Sequence, residues 1–156
     1  MEGRHCFEHL TVEENLLTGA YTRSNNKEVK DDLERVYNYF PRLRDRRTSL
    51  AGYTSGGEQQ MLSISRALGT KPAILLLDEL SMGLAPIIVK DLYQIVYQLS
   101  QEGIAVLVVE QFARTVLGVS NKAGIMINGK IVREGEPNEL EEQLSAAYLG
   151  KKSSNS

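Results

Sequence analysis

The sequence has little that could cross-link, chelate or span. Cys6 is the single cysteine and His5 and His9 are the only histidines among 156 residues, which excludes an internal disulfide and a multi-cysteine metal site. That usage fits a reduced, cytosolic setting, with Cys6 structural or incidental. The two histidines share no spacing with a carboxylate or thiol cluster, so they read as solvated or partner-facing side chains. No apolar run approaches the ~20 residues of a membrane helix, and Met1-Glu2-Gly3-Arg4-His5 lacks the apolar core of a signal peptide. If the protein works at a membrane, another chain provides the span. Neither sign of charge dominates: 18 basic against 20 acidic residues leave a net charge of -2, which asks for neither nucleic acid nor an anionic surface. The last absence is a motif. Nowhere is there a Gly-x-x-x-x-Gly-Lys-Ser/Thr loop to cradle the β- and γ-phosphates of a nucleotide.

What is present fits one ordinary domain, or part of one. Thr11-Val12-Glu13-Glu14 has the form of a capping box, so a short helix through Leu17 should follow. Tyr21 to Lys27 is polar and reads as a loop. From about Glu28 to Phe40, the residues Val29, Leu33, Val36, Tyr37 and Phe40 form one apolar helical stripe that Pro41 should stop. The basic run Arg42-Leu43-Arg44-Asp45-Arg46-Arg47 reads either as a solvated face or as a docking surface for an acidic partner helix.

Thr54-Ser55-Gly56-Gly57-Glu58-Gln59-Gln60 opens a helix through Leu68, with an αL cap expected at Gly69. Ala73 to Leu77 and Ile104 to Val109 are continuous aliphatic runs, the pattern of parallel strands buried on both faces. A helical stripe of Ile88, Leu92, Ile95, Val96 and Leu99 lies between them, so strand, helix and strand should form a βαβ unit. A short helix is expected over Phe112 to Val119. Asn128-Gly129 should turn a hairpin between Ala123–Ile127 and Lys130–Glu134. A last helix opens at Pro137 and ends near Tyr148-Leu149-Gly150, and residues 151–156 read as a disordered tail.

Two of these segments carry chemistry. Ser55 can cap a helix whose opening amides are bared by Gly56 and Gly57, concentrating N–H donors at the positive end of the dipole, where a phosphate binds. Equally, Ser-x-x-Glu is an ordinary capping box. Asp78 and Glu79 end an apolar strand, where ligands of open α/β sheets bind. An aspartate there can hold Mg²⁺ through its water shell and the next carboxylate can polarise a water. Alternatively, the acids simply close the strand.

Taken in order, Ser55 to Gln60, Leu75 to Glu79, Ser81-Met82-Gly83-Leu84, Val109-Glu110-Gln111 and Ala147-Tyr148-Leu149-Gly150 make the chain resemble an ATP-binding subunit of an ABC transporter. Glu2-Gly3-Arg4, Leu10 to Leu16 and Gly83 to Ile88 bring it nearest the second ATP-binding subunit of branched-chain amino acid importers. The resemblance implies an α/β fold: the C-terminal part of a P-loop NTPase-type, RecA-like parallel sheet with an inserted helical subdomain. It places the helical subdomain at about 8–69 and the rest of the catalytic core at 70–150. The Walker A loop, its strand and the adenine platform would lie before Met1, so the chain is expected to be N-terminally truncated and to hold no ATP by itself.

The resemblance also implies roles. Thr54, Ser55, Gly56, Gly57 and Glu58 match the signature motif, which reaches the γ-phosphate of ATP on the opposite subunit. Asp78 matches the Walker B aspartate, Glu79 the catalytic base, and Ser81 to Leu84 the D-loop. Glu2 falls at the Q-loop position that touches Mg²⁺. Gln111 stands in place of the switch histidine, and lacks the charge of an imidazolium. Leu80 replaces a usual proline, which should loosen that turn.

ATP and Mg²⁺ are the implied cofactors. The implied partners are a second ATP-binding subunit, identical or different, two membrane permease subunits and, indirectly, a solute-binding protein, with no nucleic acid. The implied location is cytoplasmic, peripheral on the inner face of a bacterial plasma membrane. Two other readings stay open: a non-catalytic module that lends its signature motif to a complete partner, and the ATPase of a related urea, amide or other amino acid importer.

Overall fold

Thr11 and Ser55 start their helices in the same way. In each case the side-chain oxygen accepts from the backbone N–H of the third helical residue, and a glutamate there, Glu14 or Glu58, accepts from the cap's own N–H. Two orphan donors are thereby satisfied at each end, and a cap of this kind is worth about 1 kcal/mol. The structure, a computed structural model, describes residues 6–148, with Ala113 and residues 143–148 described by backbone only.

Helix α1 (Val12–Gly19) is followed by α2 (Asn26–Tyr39), α3 (Pro41–Asp45), a 3₁₀ turn at Ala51–Tyr53 and α4 (Gly56–Gly69). Then come β1 (Ile74–Asp78), α5 (Pro86–Gln101), β2 (Ala105–Val109), α6 (Ala113–Leu117), β3 (Ala123–Ile127), β4 (Lys130–Gly135) and α7 (Pro137–Tyr148). The expected end of α7 at Leu149-Gly150 and the tail 151–156 lie outside the described residues, as do Glu2 and His5.

Two local expectations are corrected and one is extended. Helix α2 begins at Asn26 because the Asn25 side chain caps it, accepting from Lys27 and Glu28 N–H. Pro41 ends α2 but also opens α3, since its fixed φ suits a first helical turn. Gly69 is not an αL cap: α4 is closed by Thr70 in a right-handed conformation, and the left-handed residue is Lys71 at φ 52°. Gly69 serves close packing instead, for a Cβ there would stand 3.0 Å from the carbonyl carbon of Gly19.

Helix α1 packs along α4, and the chain before α1 is tied to the loop before α4. Val12 N–H donates to Ser49 and Ala51 N–H donates to Leu10. Asn15, fully buried, uses its amide to pair with both backbone groups of Phe7, accepting from its N–H at 2.8 Å and donating to its C=O at 2.9 Å. One core runs from Leu16, Phe40 and Leu43 through Leu62 to Leu75, Leu92 and Val96, so helices and strands share a single apolar interior.

Strands β1 and β2 pair in parallel, Ile74 opposite Ala105 through Asp78 opposite Val109, with α5 as the connection. The expectation of burial on both faces is not met within the described residues. Leu75 and Leu77 face the core, whereas Ile74, Leu76, Leu107 and Val109 are more than half exposed. Helices cover one face and no described element covers the other. The hairpin β3–β4 turns on Asn128 and Gly129, at φ 50° and 74°, as the Asn-Gly pair requires.

Candidate functional site

The Ser55 turn is built from below. Thr54, buried, donates its hydroxyl to Ala51 C=O at 2.7 Å, and Gln59 reaches back to the carbonyls of Ala51 and Thr54 at 3.3 and 3.4 Å. Ser55 itself is exposed at the helix start, and the amides of Gly56 and Gly57 find no acceptor among the described residues. A hydroxyl and two free N–H groups at the positive end of a fourteen-residue helix suit an anionic oxygen. Glu58 is turned away from that role: its carboxylate closes the capping box and lies 4.0 Å from Arg46. Gly57 is held against the first turn of α5, where a Cβ would stand 2.9 Å from Ile88 Cγ2.

The basic run between α2 and α4 is partly engaged. Arg44 pairs with Glu34 at 2.8 Å and lies over the Tyr37 ring, while Arg42 and Arg47 stay exposed.

Asp78 ends β1 and Glu79 follows with a left-handed backbone, φ 48°. Both are exposed, and no described group hydrogen-bonds to either carboxylate. Glu79 N–H donates to Val109 C=O at 2.9 Å, which carries the β1–β2 pairing one residue past the strand. A left-handed glutamate costs about 1 kcal/mol or more and persists because its neighbours fix it. Leu80 is one of those neighbours, buried at 1% exposure. The turn expected to be loosened by Leu80 is therefore anchored through it.

Beyond Leu80, Ser81 is clasped by Glu110, and Gly83 turns at φ 69° before Pro86 opens α5. Gln111 sits exposed directly after Glu110. Asp78 and Glu79 offer oxygen donors that suit a hydrated divalent cation. No cluster of three or more histidine, cysteine or acidic residues able to enclose a metal occurs among the described residues, His9 and Cys6 included. Sequence reasoning gave no role to Glu110 or Tyr93, and did not pair Ile88 with Gly57.

A parallel β-α-β core preceded by a helical block, with a capped glycine turn and a carboxylate pair at a strand end, has the α/β cassette layout that the order of the motifs implied. The family model described as ABC transporter matches residues 1–81, just over half of the 156-residue chain. The chain belongs to the ABC transporter family.

The high-affinity branched-chain amino acid transport ATP-binding protein BraG of Pseudomonas aeruginosa is 44% identical over 151 residues, covering 96% of this chain and 64% of that protein. A probable branched-chain amino acid transport ATP-binding protein of Archaeoglobus fulgidus is 37% identical, covering 87% of this chain and 58% of its own length. The lipopolysaccharide export system ATP-binding protein LptB of Haemophilus influenzae is 35% identical, at 92% and 61%. The chain thus spans between 58% and 64% of these relatives.

Among solved structures, an ATP-binding cassette of an ABC transporter in its ADP conformation superimposes with a TM-score of 0.76 at 26% identity, over 92% of this chain and 64% of that one. The fold is that of an ABC ATPase cassette. No helix among the described residues is long and apolar enough to cross a membrane.

Proposed function

We propose that the chain is the signature- and carboxylate-bearing part of an ATPase subunit that energises import of branched-chain amino acids. The observation that carries this reading is the pairing of two differently built ends. Gly56 and Gly57 present free amides beside Ser55 at the start of α4, and Asp78 and Glu79 present free carboxylates at the end of β1. The first is a phosphate ligand without a base. The second is a base and cation ligand without a phosphate cradle. Neither makes a whole nucleotide site among the described residues, and each fits one half of a composite dimer site.

In this reading residues 8–69 carry the helical subdomain and 70–150 the strand-bearing part of the core. Ser55 and Gly57 donate to a γ-phosphate held by the opposite ATP-binding subunit, Asp78 holds Mg²⁺ through water, Glu79 orients the attacking water and Gln111 contacts the phosphate. Magnesium, when bound, neutralises developing charge on the phosphates. The partners are a second ATP-binding subunit, two permease subunits and, through them, a solute-binding protein, at the inner face of the membrane. The substrate assignment is supported by the 44% identity to a branched-chain amino acid relative, against 35% to a lipopolysaccharide export protein.

Photolabelling with an azido-ATP, run on the chain alone and with a complete partner cassette, tests the reading. Label on the partner that increases with this chain and is lost with Ser55→Ala supports it. Partner labelling indifferent to the chain would overturn it.

A further inference from the structure

Glu110 lies one residue beyond β2 and accepts three hydrogen bonds. Ser81 N–H donates to Oε1 at 2.7 Å, the Ser81 hydroxyl donates to Oε2 at 2.9 Å, and the Tyr93 hydroxyl donates to Oε1 at 2.6 Å. Ser81 is only half-buried, but Tyr93 is 1% exposed within α5. Immediately before these contacts, Glu79 N–H donates to Val109 C=O. Residues 79 and 81 of one loop are thus bound to consecutive residues, 109 and 110, at the end of β2.

The same loop leads into α5, which returns Tyr93 to the junction. The carboxylate is served by neutral donors, and no described lysine or arginine pairs with it. Hydrogen bonds to an ionised acceptor are shorter and stronger than neutral ones. A carboxylate here therefore binds the serine loop more firmly than an amide of the same shape would.

We propose that Glu110 is a positioning residue. Its carboxylate clasps the Glu79–Leu84 loop to the segment that carries Gln111, so that Ser81 and Gln111 shift as one unit when nucleotide engages. The catalytic consequence rests on the ATPase reading above; the mechanical coupling does not. Glu110 itself touches no reacting atom. It sets the relative position of Glu79, whose backbone is held from the same strand end, and of Gln111, its covalent neighbour. Misplacing a reacting group by a fraction of an ångström to an ångström lowers turnover by about tenfold to a hundredfold.

The test uses the native protein with the chains that co-purify with it. ATP turnover is measured against ATP concentration for Glu110→Gln, Tyr93→Phe and Ser81→Ala, beside NMR order parameters of the Ser81 and Gln111 backbone amides. Glu110→Gln is expected to lower kcat by about tenfold with KM within about twofold. Adding Ser81→Ala should then lower it little further, because one clasp is lost only once. Order at Ser81 and Gln111 should fall together while the β1–β2 amides keep theirs. An unchanged kcat, additive losses, or loss of order at Ser81 alone would overturn the inference.

If Glu110→Gln does not fold, the same comparisons stand on Tyr93→Phe and Ser81→Ala. If the wild type shows no ATP turnover, the ATPase reading falls, and joint or separate loss of order at Ser81 and Gln111 in Glu110→Gln still decides the coupling.

Discussion

Gly19, the last residue of α1, lies so close to α4 that a Cβ there would stand 2.2 Å from the carbonyl oxygen of Arg66. The obstacle is backbone, which cannot swing aside as a side-chain tip can. With Gly69 meeting Gly19 from the other helix, the two glycines allow α1 and α4 to approach at their shared end.

Gly19→Ala is therefore expected to destabilise the protein by about 1–3 kcal/mol, the cost of overpacking a close contact. Gly118 closes α6 in a right-handed conformation and has open space around its α-carbon. Gly118→Ala should be neutral or stabilise by about 0.4–1 kcal/mol, because it restricts only the unfolded chain. Urea unfolding of the two variants decides; equal midpoints would count against the helix-contact account.

The same glycines mark where sequence reading stops. Thr11 and Ser55 were legible because a cap and its glutamate lie three residues apart and interact locally. Asn128-Gly129 was legible because two left-handed residues need those side chains. Gly69 was misread because a glycine used for close approach and one used for a left-handed turn look alike in sequence. The strand runs showed no polar alternation, so their one-sided burial was hidden: which face is covered depends on elements elsewhere. Of the candidate site, Ser55, Gly57, Asp78 and Glu79 stood out by residue type and order. Glu110 did not, because Ser81 lies 29 residues away in sequence and only the parallel pairing brings them together.

Two buried phenols make stability fall at alkaline pH. Tyr37 donates to Glu13 at 3.1 Å and Tyr93 to Glu110 at 2.6 Å. Burial first, and the adjacent carboxylate second, push both ionisations well above the ordinary tyrosine range. In the unfolded chain a tyrosine ionises near pH 10. Unfolding above that pH therefore releases protons that the folded state retains. The contribution is complete below about pH 10 and is lost as pH rises, by about 1.4 kcal/mol per unit for each phenol. Denaturant unfolding at pH 9 and pH 11 should show a decline that Tyr37→Phe with Tyr93→Phe largely removes. An identical decline in the double variant would assign it to other groups.

Gly57 faces a constraint of a different kind, since its neighbour is a side chain. A Cβ would meet Ile88 Cγ2 at 2.9 Å, on the first turn of α5. If Gly57 donates its amide to a partner's phosphate, Gly57→Ala should lower that partner's ATP turnover by displacing the turn, and Ile88→Ala added to it should restore part of the loss. The amide is present in both variants, so rescue separates displacement from loss of the donor. ATPase assays on mixed dimers read the difference; turnover untouched by Gly57→Ala would remove Gly57 from the partner's site.

Glu79 sits in a conformation its side chain does not favour, φ 48°, held by the bond from its N–H to Val109 and by buried Leu80 on its C-terminal side. Asparagine adopts that region more readily. Glu79→Asn should accordingly raise stability by roughly 0.5–1 kcal/mol, and Glu79→Gln should leave it nearly unchanged. Both remove the carboxylate that the proposed reaction needs. ATP hydrolysis by the complete assembly should fall with either, while nucleotide-driven dimerisation persists in Glu79→Gln, whose shape and backbone are retained. Stability gained as activity is lost would place the strain at Glu79 in the service of the reaction. A stable variant that still hydrolyses ATP would show the carboxylate to be dispensable, and dimerisation lost together with hydrolysis would assign Glu79 to assembly instead.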